Sequence, residues 1–155
     1  MNVIVPLAGS DFVRPDGLVK GLELLNGEPL VKSILESRPW HETSTRYYFI
    51  YQDLKESRDF HERYAQHWFP NSRATFVHGS TMGAALTCLV GLSSVDSPSQ
   101  PFIVDLADIY FDVEDAGFSV NFDIGGINNL LSPLLPAGFY YKTFMWPASF
   151  WEKYE

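Results

Sequence analysis

Apolar and polar positions alternate along the chain in short runs and longer amphipathic stretches. "NVIVP" (2–6) is a β-branched run, and it predicts a strand buried on both faces. A glycine-bearing loop, "LAGSDFVRPDGLVKG", comes after it. In "GEPLVKSILESR", Leu30, Ile34 and Leu35 recur at helical spacing behind Pro29, which suits a first helical turn. "RYYFIYQ" (46–52) predicts a second strand. "LKESRDFHERYAQHWF" predicts an amphipathic helix, with Leu54, Phe60, Tyr64 and Trp68 on one side and charges on the other. "RATFVHG" predicts a third strand, "TMGAALTCLVGL" an apolar helix and "PFIVDL" a fourth strand.

Strands alternating with helices predict an α/β fold: three layers, αβα, around a mostly parallel, Rossmann-like sheet. Ligands in such sheets bind at the carboxyl ends of the strands. Three polar segments fall there: the loop after the first strand, "HGST" before the third helix, and Asp105 with Asp108 after the fourth strand. After residue 115 the rhythm stops. The rest, with Pro133, Pro136, Pro147 and many aromatics, predicts an irregular tail. The expected organisation is a nucleotide-binding unit over 1–118 and a C-terminal segment over 119–155. No internal repeat or low-complexity segment interrupts the chain.

Composition narrows the function classes. The chain has 155 residues, 46% apolar and 19% charged, which suits one globular domain with a real core. Its formal net charge of −8 argues against binding a nucleic-acid backbone. A small anionic ligand is still compatible, because a metal or a few local cations can invert the field in one cleft. The single cysteine, Cys88, has apolar neighbours and reads as a core residue; alone it makes neither an internal disulfide nor a zinc site. The first residues lack a basic n-region, and no apolar run is long enough to span a bilayer, so a soluble cytoplasmic protein is expected.

The candidate chemistry begins in the first loop. A glycine after a strand lets backbone amides approach a phosphate, and Arg14 and Lys20 add positive charge. The loop is neither a Walker A motif nor a G-x-G-x-x-G fingerprint, so Gly9 reads equally as a plain turn. Asp105 and Asp108 read either as a strand-end turn or as carboxylates of a metal–phosphate site. His41, His61, His67 and His78 lack helical metal-pair spacing; His78 reads as a solvated loop residue or a phosphate contact.

Taken in order, "VIVPLAG", Lys20 before "LELLNGEPLVKSILE", "HGSTMGAA" and "VDLADIYFD" resemble the sugar-phosphate nucleotidyltransferases over residues 1 to about 115. The resemblance implies a nucleotide-diphospho-sugar transferase-like fold, shortened here. It implies binding of a nucleoside triphosphate with Mg²⁺ as cofactor, attack by a sugar phosphate on the α-phosphorus, and release of pyrophosphate. Lys20 and Asp108 would be catalytic, with Asp108 the metal ligand. Leu7, Ala8, Gly9, Ser10 and Arg14 would line the phosphate side. Gly79, Ser80 and Thr81 would face base or ribose, and Asp105 would support the metal site. The chain departs from the family at Ser10, Asp11 and Phe12 of the loop, at Val19 before the lysine and at Ala107 before the aspartate. A relative that binds nucleotide or sugar phosphate without turnover is the alternative.

The tail, "FDIGGINNLLSPLLPAGFYYKTFMWPASFWEKYE", resembles a segment of the sarcosine oxidase α subunit, most sharply over "AGFYYKTFMWP". No four-cysteine cluster and no G-x-G-x-x-G accompany it, so neither an iron–sulfur centre nor a flavin site is expected. This leaves a third reading, a structural fragment related to that subunit. The tail's aromatics read as packing, over the sheet or in a homodimer interface.

Overall fold

The structure, a computed structural model, describes residues 1–79, 81, 83–96 and 102–108. The boundary near residue 118, the tail and Ser80 lie outside the described residues. Four parallel strands form the sheet: β1 (Asn2–Leu7), β4 (Arg46–Gln52), β5 (Arg73–Val77) and β6 (Phe102–Val104), in the order β5-β4-β1-β6. A two-stranded hairpin, β2 (Leu24–Leu25) with β3 (Glu28–Pro29), lies between the first loop and helix α1 (Leu30–Glu36). Helix α2 (Lys55–Phe60) runs through a π-helical segment (His61–Ala65) into α3 (Gln66–Trp68), and α4 (Ala84–Ser93) precedes β6. The α/β expectation with a parallel sheet holds. Among the described residues, no helix is long and apolar enough to cross a membrane.

The two faces of the sheet arise from the period of two in β-strands. Val3, Val5 and Leu7 of β1 pair with Tyr47, Phe49 and Tyr51 of β4, and all six side chains pack against α1 and α2. Ile4, Tyr48 and Ile50 face the other way with Val104, against Cys88 of α4. Both faces of the central strands are therefore apolar, as the unbroken runs predict. Four aromatics form one ladder, with Tyr47, Phe49, Tyr51 and Phe76 stacked ring on ring across β4 and β5. Burial pushes the Cys88 thiol up to about 12, so it stays a protonated core group.

The second helix departs from its expected face. Phe60 is buried, but Tyr64 is 38% exposed, while His61 and Ala65 point into the core. A π-helical turn inserts an extra residue and rotates the turns C-terminal to it. Tyr64 therefore sits on the flank, its ring in tilted contact with Phe60 and Trp68.

His61 carries a pH prediction. Its ring lies against Phe49 and Tyr51, and burial holds its pKa below the ordinary 6.5. The unfolded chain thus binds this proton more readily than the folded one. The contribution is complete above the unfolded pKa and is lost as pH falls toward the lowered folded value. Stability should therefore decline below pH 6.5, with a slope of up to about 1.4 kcal/mol per pH unit. His61→Gln should flatten that part of the urea-midpoint profile. A variant profile parallel to the parent's would assign the slope to another group.

Candidate functional site

The strand order places a topological switch point between β1 and β6. Chain from β1 crosses to β4 on one side, while β6 adds on the other. Parallel α/β sheets open a crevice at the carboxyl ends there. A cleft of about 400 Å³ occupies that position. Leu7, Gly9, Ser10, Asp11 and Phe12 line it from the end of β1, with Lys20 and Gly21 across the loop. Thr81, Gly83, Ala84 and Thr87 line it from the start of α4, and Leu106, Ala107 and Asp108 from the end of β6. One part of each polar segment that the sequence places at strand ends thus reaches the same cavity: Gly9 and Ser10, Thr81, and Asp108.

Each wall has a local cause. The loop after β1 closes a turn with the Phe12 amide donating to the Gly9 carbonyl, 3.2 Å, and then doubles back on itself. Val13 bridges Val19, and the Lys20 amide donates to the Phe12 carbonyl at 2.8 Å. That antiparallel return carries Lys20 to the cleft. Its ammonium lies 3.0 Å from Asp11 Oδ2, and this contact holds the Asp11 carboxyl below its ordinary range.

At the second wall, Gly83 starts α4 with φ of +110°, a backbone conformation that suits glycine. Gly83 has no side chain with which to cap this helix start. Thr81 Oγ1 and Thr87 Oγ1 are 2.6 Å apart, so their hydroxyls form a hydrogen-bonded pair at the cleft edge.

The third wall answers why two aspartates stand at a strand end. Asp105 is wholly buried, and its carboxylate accepts from Arg38 Nε at 2.8 Å and Arg38 Nη2 at 3.2 Å. It also accepts from the Ala107 amide at 3.0 Å. Ala107 takes φ of +53°, the left-handed region that a glycine would enter without strain. Asp108 comes next and lines the cleft. One carboxylate anchors the turn and the other is displayed by it.

Other residues named from the sequence lie away from the cleft lining. Asp105 does not line the cleft, because Arg38 and the Ala107 amide occupy its carboxylate in the core. Arg14 does not line it either; its guanidinium pairs with Glu23 at 3.1 Å and Asp16 at 3.6 Å on the far part of the loop. Ala8 is wholly buried, and Gly79 lies outside the lining. His78 is held at 3.3 Å from Asp53, away from the cleft. Leu7, Gly9, Ser10, Lys20, Thr81 and Asp108 do come together.

Sequence patterning alone does not single out Phe12, Leu30, Val31 and Leu106, which supply the apolar lining, or Thr87. Of these, Thr87 has a readable signal: it lies one helical turn beyond Gly83, at the start of an apolar helix.

Among the described residues, the charged ones lining the cleft are one cation, Lys20, and two anions, Asp11 and Asp108. That balance favours a ligand that brings a cation with it. Among the described residues no group of three or more histidine, cysteine, aspartate or glutamate side chains forms a metal site. Mg²⁺ does not require one, since it commonly takes one or two carboxylates and completes its shell with phosphates and water. The donor chemistry of Asp108 fits that pattern.

The fold and cleft thus define a parallel α/β protein with a cavity at its switch point. In the comparisons with known proteins, no protein family and no solved structure matches the chain. It is 74% identical over 35 residues to the sarcosine oxidase subunit alpha of Rhizobium meliloti (strain 1021). That stretch is 23% of this chain and 4% of the relative's length. A short likeness to that subunit is therefore established. The comparisons give no support to the nucleotidyltransferase resemblance.

Proposed function

We propose that the chain is a nucleotidyltransferase-like domain that binds a Mg²⁺–nucleoside triphosphate in the cleft at the ends of β1 and β6, with transfer of the nucleotidyl group to a sugar phosphate as its reaction. The observation that carries the reading is the meeting of Gly9, Ser10, Lys20, Thr81 and Asp108 around one cavity. In this reading Lys20 binds phosphate, and the amides of the first loop and of the α4 start add donors. Asp108 would hold Mg²⁺, which supplies charge neutralisation at the phosphates when bound. The chain's own part is positioning: the apolar surface of Phe12, Leu30 and Leu106 accepts the less polar end of the ligand, and the loop orients its anionic end.

Calorimetric titration with ATP, GTP, CTP, UTP and dTTP, with and without Mg²⁺, tests this. One of the five should bind with Mg²⁺-dependent affinity. Asp108→Ala should remove the Mg²⁺ dependence, and Lys20→Ala should weaken binding by about tenfold or more, the worth of one charge-assisted hydrogen bond. Absence of binding to a folded sample would reject the reading.

A second reading, binding without turnover, is favoured by the Lys20–Asp11 ion pair, which sets a carboxylate against the residue that would bind phosphate. Pyrophosphate release in the presence of sugar phosphates separates the two. The match to sarcosine oxidase covers 4% of that protein, and no oxidase activity is proposed from it.

A further inference from the structure

Asp11 stands in the cleft where nothing in the phosphate-binding reading requires a negative charge. Its Oδ2 is 3.0 Å from Lys20 Nζ. Its Oδ1 lies 2.7 Å from where a side-chain carbon on Gly9 would begin. The carboxylate therefore covers the open face of Gly9 and holds the ammonium of Lys20 at the same time. Those are the two features of the loop that a phosphate would use: close approach to a glycine backbone and a cation opposite it.

We propose that the Asp11 carboxylate is a built-in competitor for the anionic end of the ligand, occupying Gly9 and Lys20 until a phosphate displaces it. This rests on the function proposed above and adds a regulatory device to the same site. The Asp11 side chain is 73% exposed and Lys20 is 36% exposed, so the pair lies at the solvent edge and Asp11 is free to swing away. An exposed pair of this kind is weak, and a multiply charged phosphate competes with a single carboxylate on favourable terms. The competitor lowers the apparent affinity by the fraction of molecules whose Lys20 is already engaged. Its charge also repels the incoming anion at short range. Together these effects should weaken anion binding by about tenfold.

The test compares wild-type protein with Asp11→Asn and Asp11→Ala. Two probes are used, inorganic triphosphate and the five nucleoside triphosphates, each with Mg²⁺, by calorimetry at low salt. The expected result is about tenfold tighter binding in both variants, shrinking as salt is raised. In a Lys20→Ala background the gain from Asp11→Asn should shrink to the part that comes from relieved charge repulsion; an undiminished gain there would overturn the competition for Lys20. Thermal unfolding of the variants confirms that each is folded.

The outcomes separate the two proposals. Nucleotide binding that is equal in wild type and variants overturns the competitor and leaves the nucleotide reading standing. Tighter inorganic triphosphate with no nucleotide binding supports the competitor and removes the nucleotide. Mg²⁺-dependent binding that is lost in Asp11→Asn overturns the competitor and makes Asp11 a metal ligand. No binding of any probe by any folded form overturns both.

Discussion

Asp105→Ala is expected to lower the unfolding free energy by about 3–5 kcal/mol, the usual loss when one partner of a buried ion pair is removed. The side chains of Asp105 and Arg38 are 0% and 1% exposed, and the contact is bidentate. Alanine would leave the guanidinium in the core without its counter-charge. The same change removes the acceptor for the Ala107 amide and so frees the left-handed turn that presents Asp108. A native domain commonly holds only about 5–15 kcal/mol in total, so this one variant would sit near its unfolding threshold.

Urea unfolding measures the effect directly. Arg38→Met combined with Asp105→Ala should recover part of the loss, because no buried charge then remains. Asp105→Asn should fall between, since its amide oxygen still accepts from Ala107. A loss under about 1 kcal/mol for Asp105→Ala would mean that the pair behaves like a solvated surface bridge, and the anchoring role would be wrong.

This pair also shows where sequence reading reaches its limit. Asp105 and Asp108 look alike in "VDLADIYFD", and both stand at a strand end. What separates them is Arg38, 67 positions away along the chain. No local pattern in "ESRPW" announces that its arginine belongs to a later strand. The strand order is equally silent in the periodicity, because β1, β4 and β5 are all short apolar runs with no mark of which neighbours which.

Strand and helix positions are more legible, since they depend on local runs. Residues 46–52 are expected as a strand and form one, Arg46–Gln52. The helix behind Pro29 begins at Leu30. The β2–β3 hairpin carries a local signal that the apolar periodicity does not register: Asn26 and Gly27 are the dipeptide of a type I′ turn, and both adopt positive φ, +54° and +88°.

The candidate site is legible as segments and not as side chains. Gly9, Lys20, Thr81 and Asp108 come together because parallel strands end on one edge. Arg14 and Lys20 both look like phosphate ligands in the sequence, and only the Val13–Val19 bridge decides between them. It returns Lys20 to the cleft and leaves Arg14 with Glu23.

Gly91→Leu is the other large expected loss, through close packing alone. Helix α4 lies on the sheet at Gly91, where an added side-chain carbon would stand 2.7 Å from Ile4 Cγ2 and 3.1 Å from Ile50 Cγ1. Ile4 and Ile50 are wholly buried on the two central strands, β1 and β4. Neither strand can yield, since each is hydrogen-bonded on both edges. The helix must therefore lift or the isoleucines must leave their rotamers. Overpacking costs about 1–3 kcal/mol for added methylenes, and a whole leucine belongs at the top of that range.

Alanine separates the causes. Gly91→Ala already meets the 2.7 Å contact with Ile4 Cγ2 and recovers only about 1 kcal/mol through helix propensity, so it should be mildly destabilising, well short of leucine, which adds three more carbons. The leucine variant should lose about 3 kcal/mol, roughly 6–12 °C in Tm for a domain of this size. Because Gly83, Ala84 and Thr87 line the cleft from the same helix, lifting α4 should also weaken ligand binding in Gly91→Leu at temperatures where the protein remains folded. An unchanged Tm in Gly91→Leu would show that α4 is loosely seated, and its place as a wall of the cleft would fall with it.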